Sequence, residues 1–322
     1  MRSQLSLILT ILILTTGAFF SCNFEEIKST ATTGEMKLAV DENQEPLIKA
    51  EVSEFERLNM EAKVSLIFAP TNKVIADLIN GEVMNIVSSR TFNAEEKQIL
   101  EKNKTAYKEY PFAIDGIAFI VNPKNPVARV TSDDLKKVLT GEIKLWSGIV
   151  TQDEEQNKKL KSLAGTANDK IVPFIQRKNS STYDYVRDSV LKGADYGANS
   201  TVCSTTVQIL GSVRENNGAI GIVSMSWLSK GIQEEIDSTV RPLRVSKIWD
   251  SGRQDNFSEF HQGLLANGDY PYRRTVYFIS TDQDIKLSTG FTTFLVRTDG
   301  QKVVLKNGLV PVSQPVRTIQ LN

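Results

Sequence analysis

The sequence predicts an α/β fold built on a mostly parallel sheet flanked by helices, and three observations bound what the chain can be. From Glu35 onward, short apolar runs of strand length alternate with amphipathic helical patterns. Charge is balanced, 38 Lys+Arg against 38 Asp+Glu, without a long basic block, so no nucleic-acid partner is expected. The chain has 322 residues and two cysteines, Cys22 and Cys203, so it can form one large domain or two lobes whose stability comes from apolar cores.

The first residues read as a leader rather than as fold. Arg2 precedes the apolar run "LSLILTILILTTGAFF", which is shorter than the roughly 20 apolar residues a spanning helix needs. Ser21-Cys22 resembles the lipobox of bacterial lipoproteins, with Phe19 in place of the usual leucine. This implies a signal peptide over 1–21 and a lipidated Cys22 that anchors the chain in the cell envelope. An ordinary cleaved signal and an uncleaved anchor are the alternatives. Residues 22–35, including Glu25-Glu26, read as a polar tether.

"MKLAV" and "AKVSLIFA" are expected strands, separated by a helix that Pro46 opens and that carries Ile48, Val52 and Phe55 at helical spacing. Thr71 or Asn72 is the expected cap of a helix that Gly81 stops. "VMNIV" is the next strand, and Asn93 with Glu96 forms a capping-box start. "FAIDGIAFIV" reads as a long strand, and Thr131 with Asp134 starts a helix ending at Gly141. Residues 148–171 are polar, a loop or exposed helix; "IVPFI" is a buried-type strand.

The strand "IVPFI" runs directly into "QRKNSSTYDYV". Strand, tight hydroxyl-rich turn and helix start form an arrangement suited to an anion, because first-turn N–H groups have no intrahelical partner and the helix dipole is positive there. Ser180, Ser181 and Thr182 can donate, and Arg177 can grip two oxygens. Asn and Ser are also ordinary caps, and arginine is commonly a surface charge. Trp146 reads as a packing residue and His261, the single histidine, as a surface or capping residue; Ser288, Thr289 and Gly290 are expected to cap the helix "FTTFLV". No Gly-x-Ser-x-Gly elbow, Walker loop or metal-spaced cluster is present, so neither an enzyme, a cofactor nor a metal site is expected.

Residues 36–315 resemble the phosphate-binding proteins of bacterial ABC importers. The likeness is carried by "DGIAFIVNPKNPVARVTSDDLKKVLTGEIKLWSGI", by "NSSTYDYV", and by "NNGAIGIVSMSWL" followed by "YPYRRTVYFIS" and "FTTFLVRTDGQKVVLKNGLVPV". The resemblance implies the two-lobed type II periplasmic binding protein fold, each lobe a mostly parallel sheet, joined by a two-strand hinge. One lobe comprises 36–113 with 225–322 and the other 114–224. It implies a monomeric extracytoplasmic receptor that passes inorganic phosphate or a related oxyanion to a membrane ABC permease.

Carried over by residue, the ligand contacts fall on Ser180, Ser181, Thr182 and Arg177 with Asn179 in the second lobe, and on Thr71, Ser89 and Arg90 in the first. Asn179 and Ser181 replace family glycines, and no carboxylate stands near Ser89, where the family has its acceptor aspartate. Instead Asp41, Glu42 and Asn43 stand at the start of the first helix. Three readings of the acidic pair follow. Asp41 or Glu42 takes over the acceptor role, with Arg90 and Arg177 balancing charge. Alternatively a carboxylate lies against the helix mouth and neutralises the cleft, which then serves a scaffold, a signalling module or a different ligand. Or the pair simply faces solvent ahead of a helix, where acids are favoured.

Overall fold

Alternation of Met36, Leu38 and Val40 turns one face of β1 (Gly34–Asp41) into the core, and the parallel partners β2 (Ala62–Ala69) and β3 (Asn85–Ser88) flank it. The computed structural model describes residues 29–151, 153–231 and 235–313. The expected signal peptide over 1–21, the expected lipidation site Cys22 and Glu25-Glu26 lie outside the described residues. Between β1 and β2, a 3-10 turn (Glu42–Gln44) leads into α1 (Glu45–Leu58), with Pro46 in its first turn and Leu47, Ile48, Val52 and Phe55 buried. Gln44 offers α1 no side-chain cap; Ser226 from a distant segment accepts from Leu47 N at 3.1 Å instead.

Between β2 and β3 lies α2 (Thr71–Ile79). Its N-cap is Pro70, not Thr71 or Asn72 as expected, because Thr71 is already helical and its hydroxyl is used at the cleft. α3 (Ala94–Lys102) begins with the expected Asn93–Glu96 capping box. The remaining elements, in order, are β4 (Lys108–Val121), β5 (Arg129–Thr131), α4 (Ser132–Leu139), α5 (Glu154–Lys161), β6 (Val172–Gln176), α6 (Ser181–Ser189), β7 (Thr201–Cys203), α7 (Thr206–Glu215), β8 (Ala219–Ser224), α8 (Met225–Leu228), β9 (Arg241–Pro242), β10 (Arg244–Ser246), α9 (Gln262–Asn267), β11 (Arg273–Ser280), α10 (Leu287–Val296), α11 (Thr298–Lys306) and β12 (Val310–Pro311).

The main sheet runs β2-β1-β3-β11-β4-β8-β6-β7. Pairs β1–β2, β1–β3, β6–β7 and β6–β8 are parallel, whereas β11 is antiparallel to β3 and β4, and β4 to β8. The long strand β4 joins two lobes. Its first part, Lys108–Gly116, pairs with β11, and Ile117–Val121 pairs with β8. At the end of β8, Ser224 caps α8.

After residue 225 the chain does not stay with the first lobe. β9 pairs with the end of β4 through Pro242↔Ile120, and β10 pairs with β5, so this stretch packs on the second lobe before β11 returns. Val240, Leu243 and Val245 are buried, and Leu243 N donates to Phe119 O at 2.8 Å and Arg244 N to Ala128 O at 3.0 Å. Ser288, Thr289 and Gly290, expected to precede a helix, lie inside α10, whose N-cap is Lys286. Ser288 Oγ donates to Asp282 Oδ2 at 3.1 Å, which fixes the entry to that helix.

Candidate functional site

The end of β6 and the start of α6 form the mouth foreseen in the sequence. Ser180 is the N-cap, its hydroxyl accepting from Tyr183 N at 3.1 Å. Tyr183, Val186, Val190 and Leu191 are buried together, and that packing fixes the helix so that Ser181 and Thr182 meet the first lobe.

The meeting is direct. Ser181 Oγ donates to Asp41 Oδ2 at 2.6 Å and accepts from Asn43 Nδ2 at 3.1 Å and Arg274 Nη1 at 2.9 Å. Ser181 N donates to Thr71 Oγ1 at 3.2 Å, and Thr182 Oγ1 donates to Asn43 Oδ1 at 3.0 Å. Asp41 Oδ1 accepts from Asn43 N at 3.1 Å and Asn43 Nδ2 at 3.0 Å, so the same carboxylate caps the 3-10 turn. Asp41 and Asn43 are fully buried. The expectation of a solvent-facing acidic pair therefore fails for Asp41, because the turn and the helix mouth together enclose it.

Behind this contact lies a second buried carboxylate. Asp115 accepts from Arg274 Nε at 3.1 Å, Gln44 Nε2 at 2.9 Å, Ser224 Oγ at 2.8 Å and Met225 N at 3.1 Å. Burial pushes its carboxyl above the ordinary value against the pull of Arg274, Ser224 and Gln44. Arg274 Nη2 lies 3.1 Å from Asp115 Oδ2 without hydrogen-bond geometry and has no hydrogen-bond partner among the described residues. Gln176 Nε2 donates to Asn43 Oδ1 at 2.7 Å and Thr206 Oγ1 at 2.8 Å. The side-chain oxygens of Gln44 and Gln176 are buried without a partner among the described residues.

At the rim, Arg177 Nη2 donates to Glu42 Oε2 at 2.5 Å, and Glu42 O accepts from Trp227 Nε1 at 3.2 Å. Burial raises the Glu42 carboxyl, and Arg177 opposes that rise.

Of the residues singled out in the sequence, the structure brings Asp41, Asn43, Thr71, Ser181 and Thr182 together and sets Glu42 and Arg177 beside them. Ser89 joins at one remove, its hydroxyl accepting from Gln44 Nε2 at 3.2 Å. Ser180 serves its own helix. Asn179 is exposed; its carbonyl accepts from Asn72 N at 3.3 Å. Arg90 does not balance charge in the cleft. Both of its terminal nitrogens bond Glu96 at 2.8 Å, and Nη2 also donates to Asn72 Oδ1 at 2.9 Å.

Arg274, Asp115, Gln44 and Gln176 were not foreseen. Asp115 interrupts the apolar stretch of β4, Arg274 stands beside Arg273 at the start of β11, and both are buried. Trp146 packs as expected, fully buried with Nε1 donating to Gly218 O at 3.1 Å. His261 caps α9, Nδ1 accepting from Gly263 N at 3.1 Å.

The cleft thus gathers a helix N-terminus, the hydroxyls of Ser181, Thr182 and Thr71, the Asn43 amide and the Arg274 guanidinium, together with the Asp41 carboxylate, at the junction of two lobes. Such donors suit a tetrahedral oxyanion.

Comparison with known proteins agrees in fold and reach. The phosphate-binding protein PstS of Staphylococcus haemolyticus is 24% identical over 254 residues, 79% of this chain and 72% of its own length. The PstS of Bacillus subtilis is 25% identical over 284 residues, 87% of this chain and 82% of its own. A phosphate ABC transporter substrate-binding protein from Clostridium perfringens, solved with bound phosphate, superposes with a TM-score of 0.70 at 23% identity, covering 87% of this chain and all of that one. Residues 27–299 match the family model described as the PBP superfamily domain, and the chain belongs to that family.

Proposed function

We propose that the protein is an extracytoplasmic solute-binding receptor that holds inorganic phosphate between its lobes for ABC-type import. The observation that carries this reading is the α6 mouth, where Ser181 and Thr182 meet Asp41, Asn43 and Thr71 of the other lobe and Arg274 reaches the same hydroxyl. Helix dipole, hydroxyls and guanidinium all favour negative charge at that point. Relatives named for phosphate binding, aligned over most of their own length, support phosphate as the ligand. The reading includes a lipidated Cys22, a membrane permease as partner and a monomeric receptor whose lobes close on the ligand.

A second reading has one observation in its favour. Ser181, Thr182 and Arg177 all bond to groups of the protein itself. A cleft neutralised in this way suits an envelope scaffold or signalling module that has kept the fold without transport. Calorimetric titration of phosphate into protein stripped by unfolding and refolding, with sulfate and arsenate alongside, separates the two. Tight phosphate binding supports the receptor, and silence toward every oxyanion removes the transport role.

A further inference from the structure

The donors at the α6 mouth converge on one carboxylate. Asp41 Oδ2 takes the Ser181 hydroxyl at 2.6 Å, and Asp41 Oδ1 takes Asn43 N at 3.1 Å and Asn43 Nδ2 at 3.0 Å. Arg274 Nη1 reaches the same Ser181 oxygen at 2.9 Å, while Arg274 Nη2, buried, lies 3.1 Å from Asp115 Oδ2 and makes no hydrogen bond among the described residues. A backbone N–H, a side-chain amide, a hydroxyl at a helix start and a guanidinium make up a seat for an oxyanion. Asp41 is in it.

We infer that Asp41 is a tethered competitor for the oxyanion seat, and that the incoming anion takes over Ser181, Asn43 and Arg274 as Asp41 withdraws. The inference rests on the phosphate reading and assigns the binding guanidinium to Arg274. Arg177, the arginine expected from the sequence, is engaged at the rim by Glu42. Asp115, paired with the Nε edge of Arg274, keeps the guanidinium aimed at Ser181.

Three physical points favour competition over coexistence. Asp41 is fully buried, so an oxyanion on the same donors would face an unscreened like charge. The Ser181 hydroxyl has one proton and spends it on Asp41, so an oxyanion can receive that bond only when Asp41 gives it up. A carboxylate held on the adjoining turn acts at an effective concentration on the order of millimolar. The apparent affinity for free anion is then reduced by the fraction of molecules in which Asp41 has left.

The test compares full-length wild type, Asp41→Ser and Asp41→Asn, each stripped by unfolding and refolding, by phosphate titration and by melting with and without phosphate. Competition predicts that both variants bind phosphate at least about tenfold more tightly than wild type. It also predicts a lower melting temperature without phosphate, since the contact between lobes is lost, and a larger rise when phosphate is added. Adding Arg274→Gln to Asp41→Ser should abolish the gain. Wild type that binds phosphate while both variants bind it equally or more weakly would overturn the inference. Asp41 would then be a hydrogen-bond acceptor for protonated phosphate, and the phosphate reading would stand. If all three fold, by circular dichroism, yet none binds phosphate or arsenate, the phosphate reading falls and the inference with it.

Discussion

Arg274 and Asp115 stand directly opposite each other on antiparallel β11 and β4, and the Arg274 guanidinium bonds at once to Asp115 and, across the lobe boundary, to Ser181. One buried arginine thus ties the first lobe's sheet to the mouth of the helix that carries the second lobe's donors. Both members are almost wholly shielded, with 4% and 0% of their side chains exposed. In that setting the pair is less a source of net stability than a commitment, because neither charge can be left alone.

Removing one partner should therefore be severe. Arg274→Gln leaves Asp115 charged and short of its main counter-ion, and a loss of about 3–5 kcal/mol in urea unfolding is expected. Asp115→Asn together with Arg274→Gln should recover part of that loss, since no uncompensated charge remains. Equal losses in the single and double variants would show that the pair acts through packing alone.

The rim pair makes a different prediction. Glu42 holds Arg177, and the arginine side chain is 38% exposed, so the attraction is partly screened. Glu42→Gln should free Arg177 and remove a negative charge near the cleft. Phosphate affinity should rise roughly twofold to fivefold at low salt, and the gain should shrink as salt is added. Titrations at two ionic strengths check both parts.

At the junction of the lobes, Gly116 allows a close approach. A Cβ there would lie 2.7 Å from Leu265 Cδ1 and 2.8 Å from Phe260 Cε2. Gly116→Ala should cost about 1–3 kcal/mol through overpacking. Because Asp115 is the neighbouring residue, phosphate binding should weaken as well. Unfolding and titration of this one variant test both consequences.

How far the sequence could be read depended on how local the determinant was. The capping box at Asn93–Glu96 and the helix start at Thr131–Asp134 formed as expected, because each needs only four consecutive residues. The helix mouth at Ser180–Thr182 was legible for the same reason. Thr71 was not legible as a cleft residue in its own right, since its hydroxyl serves a backbone N–H 110 residues away. Arg274 and Asp115 were hidden in strands that read as ordinary core, and only the register of β11 on β4 makes them a pair. Ser288–Gly290 misled because hydroxyl and glycine residues suit a cap, whereas α10 begins before them. The fate of Asp41 turned on where α6 docks, which no local pattern specifies.

A final prediction concerns a carboxyl outside the cleft. Glu51, on α1, is fully buried, and neither of its carboxylate oxygens has a hydrogen-bond partner among the described residues. Burial, with Glu54 adding like charge, holds its carboxyl well above the ordinary value of 4.5. The sign follows from linkage: a raised folded-state value means that the native protein binds this proton more tightly than the unfolded chain does. The stability associated with it is full below about pH 4.5 and is lost as the pH climbs toward the folded-state value. Glu51→Gln keeps the shape and carries no titrating proton. The variant should therefore gain on wild type as the pH rises, by on the order of 1 kcal/mol or more near pH 8, and show little difference near pH 4. Urea unfolding of both proteins across that range measures the difference directly. A constant gap at every pH would mean that Glu51 titrates alike in the folded and unfolded chains, and that its burial is relieved by water or by local motion of α1.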